Sequence, residues 1–168
     1  MKHLTNWGGI LGLALIVYSL ALYLLGLNES QSAQWLSYLI IAAFIFIASK
    51  AKRTELGGYI SYGQALGNGV GVAFFASIMV AFYTYVFFHF IDPDMLEQLI
   101  LRAEDQLYEN GMPDDQIEMA MSYTRKLMQP GPMAFMVVLT YTFVGFIVSL
   151  ITSAIVKKED SSFEGNFK

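Results

Sequence analysis

Long apolar stretches alternate with shorter polar stretches along this chain of 168 residues. A bilayer core of roughly 30 Å needs about 20 apolar residues in a helix that rises about 1.5 Å per residue. Four stretches approach or meet that length. We therefore predict an all-α, polytopic membrane protein that forms one four-span domain over residues 1–168. The predicted spans are residues 8–27, 33–47, 66–91 and 132–156.

The first two stretches each leave an alternative open. Residues 8–27 could be a removable signal peptide, but they exceed the usual length of its apolar region, and residues 30–32 form only a weak cleavage site. Residues 33–47 cover only about 22 Å at helical rise and could be a re-entrant segment. That arrangement would place the basic segment 50–53 outside the cytoplasm, against the positive-inside rule. We therefore favour a span in both cases.

Residues 92–131 separate the third and fourth spans and are polar enough to lie outside the membrane. Asp92 can cap a helix whose first turn suits Pro93. Apolar positions then recur at helical spacing in two segments, the second marked by Ile117, Met121 and Leu127. We predict an amphipathic helical hairpin in the extracytoplasmic space. Its nine acidic and three basic residues would give the hairpin a negatively charged surface. We favour a solvated hairpin, and a cation site or a docking surface for a partner is the alternative.

The basic residues predict the orientation of the spans. Of ten lysines and arginines, three lie in residues 92–131 and seven fall on the opposite side of the predicted membrane. Because cytoplasmic loops carry an excess of these residues, both termini of this multi-pass protein are predicted to be cytoplasmic. The seven are Lys2, Lys50, Lys52, Arg53, Lys157, Lys158 and Lys168.

Composition removes several function classes. Hydrophobic residues make up 55% of the chain and charged residues 14%, against about 25% charged in a typical soluble domain. A net charge of −4 argues against a nucleic-acid partner, and the lack of cysteine excludes thiolate catalysis. The predicted spans contain no Asp, Glu, Lys or Arg, which argues against ion-coupled transport. We predict no catalytic residue, no cofactor, no metal site and no enzymatic activity.

Small residues recur at four- or seven-residue intervals in three of the helices. This spacing places them on one helix face, where they allow membrane helices to approach closely. Packing inside the bundle and docking of a second copy or another membrane protein are both open. The positions are Gly8, Gly12, Ser19 and Gly26 in the first helix, Gly63, Gly67 and Gly71 in the third, and Gly145, Ser149 and Ser153 in the fourth.

A polar cluster of Ser61, Gln64 and Asn68 lies near the start of the third span. Its members could cap the helix or bridge helices, which is the reading we favour. Alternatively, they could contact a lipid headgroup or line a small polar vestibule.

Three segments in order resemble a known family: Gly58-Tyr59-Ile60-Ser61-Tyr62-Gly63-Gln64-Ala65, Phe90-Ile91-Asp92-Pro93 and Gly145-Phe146-Ile147-Val148-Ser149-Leu150-Ile151. Together they resemble a four-span domain-of-unknown-function family, number forty-one ninety-nine, that is typical of Bacteroidota. The resemblance covers nearly the whole chain and implies a bacterial inner-membrane protein without an assigned activity. It supplies no catalytic residues. It also implies an accessory role in envelope or glycosyl-transfer processes.

The leading hypothesis is a non-enzymatic accessory subunit or scaffold of a membrane complex, surrounded by membrane lipid. A small transporter or lipid-linked substrate flippase is the main alternative, and a lipid-modifying enzyme is the third. The alternatives require a polar path or a reactive centre, neither of which the sequence displays.

Overall fold

The computed structural model describes residues 1–27 and 30–158, and this part of the chain is helical apart from its connections and one isolated β-bridge. The four helices that are long and apolar enough to cross a membrane are α1, α2 from Trp35 onward, α3 with its π-helical extension, and α6. The prediction of an all-helical protein with four such helices is confirmed. The elements are α1 (Lys2–Leu24), α2 (Gln31–Glu55), α3 (Tyr62–Val86), a π-helical turn (Phe87–Ile91), α4 (Pro93–Glu109), α5 (Asp114–Leu127) and α6 (Pro130–Val156).

The helices extend beyond the apolar stretches, because hydropathy marks the lipid-like part of a helix and not its ends. The α2 helix has 25 residues, or roughly 38 Å at helical rise, so the predicted span of residues 33–47 was too short. At the end of α1, Gly26 has a φ of +66° and its N–H donates to the carbonyl of Tyr23. This left-handed glycine ends the helix. The prediction that Gly26 continues the small-residue face of α1 was therefore wrong.

The chain divides into two compact units, of which unit 1 comprises Met1–Met79 and Leu139–Lys168. In unit 1, α3 is contacted by the other three apolar helices through small residues. A Cβ atom placed at Gly8 of α1 would lie 2.5 Å from the Cβ of Phe75, and Gly145 of α6 lies directly against Ala73. Such close backbone approach is how small residues join membrane helices.

One end of unit 1, which we call the basic end, collects the starts of α1 and α3 and the last turns of α2 and α6. Nδ1 of His3 lies 2.7 Å from a carboxylate oxygen of Glu55, and Arg53 donates to the carbonyl of Val156 at 3.2 Å. Ile60 and Lys158 exchange two backbone hydrogen bonds of 2.9 Å. Lys168, predicted to lie here too, is outside the described residues. The described lysines and arginines at this end are Lys2, Lys50, Lys52, Arg53, Lys157 and Lys158.

Unit 2 comprises Val80–Val138, and in it α4 packs against α5. The buried centre of this contact is Ile100, Ile117 and Met121. Leu127 was predicted to share the face of Ile117, but it is 59% exposed, and Met128 packs against the cluster instead. At about 100° per residue, position 127 lies about 80° from position 117, whereas position 128 lies about 20° from it.

Candidate functional site

The start of α3 carries a reciprocal cap made by two members of the predicted polar cluster. The hydroxyl of Ser61 accepts from the N–H of Gln64 at 3.3 Å, and the side-chain oxygen of Gln64 accepts from the N–H of Ser61 at 3.0 Å. This capping box satisfies two amide donors that a helix start leaves unpaired. Ser61 and Gln64 are therefore already engaged by the backbone of their own helix.

Asn68, the third member of that cluster, has a different environment. Its side chain is one turn further along α3, and the residue is 6% exposed. Neither its Oδ1 nor its Nδ2 has a hydrogen-bond partner within residues 1–27 and 30–158. A buried polar group left without a partner costs about 1–3 kcal/mol. Asn68 is thus a position where the fold bears a cost that a bound polar molecule would remove.

Three buried hydroxyls share this property in the described part of unit 1: those of Ser49, Ser149 and Ser153. Ser149 lies directly against Gly69, the neighbour of Asn68, and Ser153 follows one turn later on α6. By contrast, Ser77 donates to the carbonyl of Phe74 at 2.7 Å. The part of unit 1 nearer the basic end therefore contains buried polar side chains that have no hydrogen-bond partner in the described chain.

A pocket of about 300 Å³ opens at the basic end, between the start of α1, the end of α2 and the first turns of α3. Gln64, Gly67 and Asn68 contribute the α3 wall, and Lys52 contributes a cationic group. The same wall of α2 carries Glu55, whose two carboxylate oxygens lie 3.1 Å from Nζ of Lys52 and 2.7 Å from Nδ1 of His3. Its apolar lining comes from Leu4 and Leu56.

The glycines divide into two groups by their surroundings. A Cβ atom placed at Gly12 would lie 3.0 Å from the Cβ of Met79, and one at Gly71 would lie 3.0 Å from Cδ1 of Leu4. At Gly63 and Gly67 no heavy atom of the described chain lies within 4 Å of such a Cβ. Together with Gly8, Gly145 and Ser149, the first group is used for contacts inside unit 1. Gly63 and Gly67 face open space.

In unit 2, the start of α4 has the geometry that its sequence suggests. Oδ1 of Asp92 accepts from the N–H of Met95 at 3.0 Å, and Pro93 occupies the first turn. Arg125 of α5 lies 3.5 Å from Glu97 and 3.6 Å from Glu104. Such exposed pairs contribute little to stability. The residues that the structure describes contain no group of three or more His, Cys, Asp or Glu side chains arranged to hold a metal ion.

An exposed apolar surface that the sequence pattern did not identify lies on α5, away from its packed face. Met119, Tyr123 and Leu127 are 66%, 63% and 59% exposed, and their four-residue spacing places them in one line. We call these three residues the α5 stripe. The spacing was visible in the sequence, but it competed with the stronger apolar face formed by Ile117 and Met121, so only the packing of α4 could identify which face remains free.

Comparison with known proteins identifies a family. The model of a family described as "Protein of unknown function (DUF4199)" matches residues 6–158. No curated protein and no solved structure matches the chain significantly.

Proposed function

The chain belongs to the DUF4199 family, and on that premise we propose that it is a non-enzymatic accessory subunit or scaffold of a membrane complex. The observation that carries this proposal is the α5 stripe. Exposed apolar residues on the four long helices are expected to face lipid, but α5 is a short helix with four acidic or basic residues in its first and last turns. An apolar line on such a helix is typical of a surface that another protein covers.

Charge indicates the chemistry of that partner. Residues 92–131 carry nine acidic and three basic side chains, so this segment is negative overall, while Nζ of Lys126 lies 5.9 Å from the ring centroid of Tyr123 within the stripe. A matching partner presents apolar side chains within a basic rim, because complementary charge speeds encounter and excludes partners of like charge. Because the resemblance noted in the sequence implies an accessory role in envelope or glycosyl-transfer processes, a membrane glycosyltransferase is the first partner to test.

We propose that the basic end faces the cytoplasm of a bacterial inner membrane and that residues 92–131 form an extracytoplasmic amphipathic hairpin. The clustering of six described basic residues at one end of unit 1 supports this orientation, since basic residues are retained on the cytoplasmic side.

Thiol labelling tests this orientation cleanly, because the chain contains no cysteine. We expect cysteines introduced as Thr54→Cys and Lys157→Cys to resist a membrane-impermeant maleimide in right-side-out vesicles and to react in inside-out vesicles. Asp105→Cys should show the reverse pattern. Labelling of Thr54→Cys and Asp105→Cys from the same side would refute the proposed topology.

Introducing a charge into the α5 stripe should release the partner. We expect Tyr123→Glu to reduce recovery of a stoichiometric partner from mild detergent by about tenfold or more, as loss of a central aromatic anchor typically does. Gln106→Glu, which adds the same charge to an exposed position of α4, is the matched control and should leave recovery unchanged. Equal recovery from both variants, or the absence of any partner, would contradict the scaffold proposal.

A small transporter or lipid-linked substrate flippase is the second candidate, favoured by the unsatisfied polar groups of Asn68, Ser49, Ser149 and Ser153 inside unit 1. Vesicles that contain only this protein separate the two functions. Substrate movement across such vesicles would establish transport, whereas partner-dependent activity without movement would favour the scaffold.

A further inference from the structure

The pocket at the basic end has a polar wall that the protein itself does not satisfy. Asn68 is one of its lining residues and is 6% exposed, and its buried amide has no hydrogen-bond partner on Oδ1 or Nδ2 within the described chain. The amide oxygen needs a donor and the amide nitrogen needs an acceptor. A single hydroxyl group can supply both, whereas an ammonium group can supply only donors. The wall therefore selects for a hydroxylated ligand.

A second requirement comes from Lys52, which lines the same pocket. Its ammonium has three donors, and Glu55 accepts one of them at 3.1 Å. His3 lies 2.7 Å from the other oxygen of Glu55 and 3.2 Å from the carbonyl of Ala48, which fixes the carboxylate beside α2. The remaining donors of Lys52 suit an anionic oxygen, of which phosphate is the most common at a membrane surface.

The pocket also has apolar walls, from Leu4 of α1 and Leu56 at the end of α2. It lies where four apolar helices begin or end, which is the level at which lipid headgroups meet the acyl chains. Its volume of about 300 Å³ is at the small end of the range for small-molecule sites. A headgroup anchored by its own acyl chains fits this combination better than a large soluble ligand.

We infer that this pocket binds the phosphate ester of a small polyol, supplied as the headgroup of a glycerol-type phospholipid. The phosphate contacts Lys52, and a headgroup hydroxyl reaches the amide of Asn68. The inference is independent of the partner proposed for the α5 stripe, because every residue that carries it belongs to unit 1.

Native mass spectrometry of the full chain released from nanodiscs tests the inference. The nanodiscs contain equal amounts of phosphatidylglycerol, phosphatidylethanolamine and phosphatidylcholine. We expect the retained phosphatidylglycerol to exceed either of the others by about fivefold, the factor given by one net hydrogen bond of ordinary strength. Equal retention of the three lipids would overturn the inference and leave water as the partner of Asn68.

Two matched pairs of variants place the lipid in the pocket. Gly67→Leu should fill the pocket and remove the preference, while Gly63→Leu, also in open space but outside the pocket, should keep it. Lys52→Gln should reduce the preference, while Lys50→Gln, which changes the charge equally outside the pocket, should not. A preference that survives both Gly67→Leu and Lys52→Gln would place the lipid elsewhere and overturn the inference.

A variant of Asn68 and a competition experiment test the headgroup contact and the source of the ligand. Asn68→Leu removes the amide without adding bulk to Gly67, so it should abolish discrimination between the glycerol and ethanolamine headgroups even if Gly67→Leu fails to fold. Adding soluble glycerol phosphate distinguishes the source of the ligand. Displacement of the bound lipid by millimolar soluble ester would overturn the lipid as the source, whereas retention supports it.

Discussion

Replacing Gly145 by alanine is expected to lower the free energy of unfolding by about 1–3 kcal/mol, the usual effect of adding a methyl group to a filled interior. A Cβ atom at this position would overlap the Cβ of Ala73 on α3 and would lie 3.7 Å from Cδ1 of Ile45 on α2. The clash with Ala73 therefore forces α6 and α3 apart at this point, whereas the distance to Ile45 is an ordinary van der Waals contact. Thermal or SDS-induced unfolding in lipid nanodiscs, followed by circular dichroism, measures the change.

Exchanging the two side chains gives a sharper test of the same contact. In the double variant Ala73→Gly with Gly145→Ala, the methyl group moves from α3 to α6 and the space stays filled, so most of the lost stability should return. Gly63→Ala is the matched control, because no described atom surrounds its Cβ. Its stability should be unchanged or raised by up to about 1 kcal/mol, since alanine favours a helix more than glycine does. If Gly145→Ala behaves like Gly63→Ala, α3 and α6 do not meet at this point.

Replacing Ile117 by alanine is expected to lower the stability of the paired helices α4 and α5 by about 2–5 kcal/mol, the range for truncating a buried large aliphatic side chain. Ile117 is 2% exposed and packs with Ile100 and Met121. Few other buried residues join these helices, so little apolar contact remains between α4 and α5 once the Ile117 side chain is shortened. Amide hydrogen exchange in α4 and α5 should become faster by the factor that corresponds to this loss of free energy.

Met119 supplies the control for this prediction within the same helix. Met119→Ala removes a side chain that is 66% exposed, and stability should stay within about 0.5 kcal/mol of the original. The same variant also separates folding from recognition, because Met119 belongs to the α5 stripe. Similar exchange rates in Ile117→Ala and Met119→Ala would show that α5 does not pack on α4 through the face of Ile117 and Met121.

Glycines serve two different purposes in unit 1, helix packing at some positions and an open pocket at another. At Gly8, Gly12 and Gly145, the missing side chain lets two helices touch. At Gly67, one turn from the contact of Gly71 with Leu4, the missing side chain instead leaves room beside Asn68. A glycine pattern alone has the same appearance in both cases, and only the neighbouring helix decides whether the space is filled or open.

Much of the architecture follows from the sequence because it depends on local or one-dimensional properties. Apolar length specifies the four long helices, Asp92 and Pro93 mark the start of α4, and Ser61 with Gln64 caps α3. Each of these features is decided within a few residues along the chain, or by the cost of placing polar backbone and charge in lipid. The ends of the helices were less predictable, since α2 continues through its basic segment to Glu55.

Which faces meet was decided by the tertiary structure alone. The sequence by itself determined that Asn68 is a polar residue in an apolar helix, that Gly63 and Gly67 share a face, and that α5 carries more than one line of apolar residues. Only packing left the amide of Asn68 buried without a protein partner, placed Lys52 beside it, and covered Ile117 while leaving Tyr123 exposed. The physical reason is that burial and hydrogen-bond satisfaction depend on atoms from distant parts of the chain, whose approach no local pattern specifies.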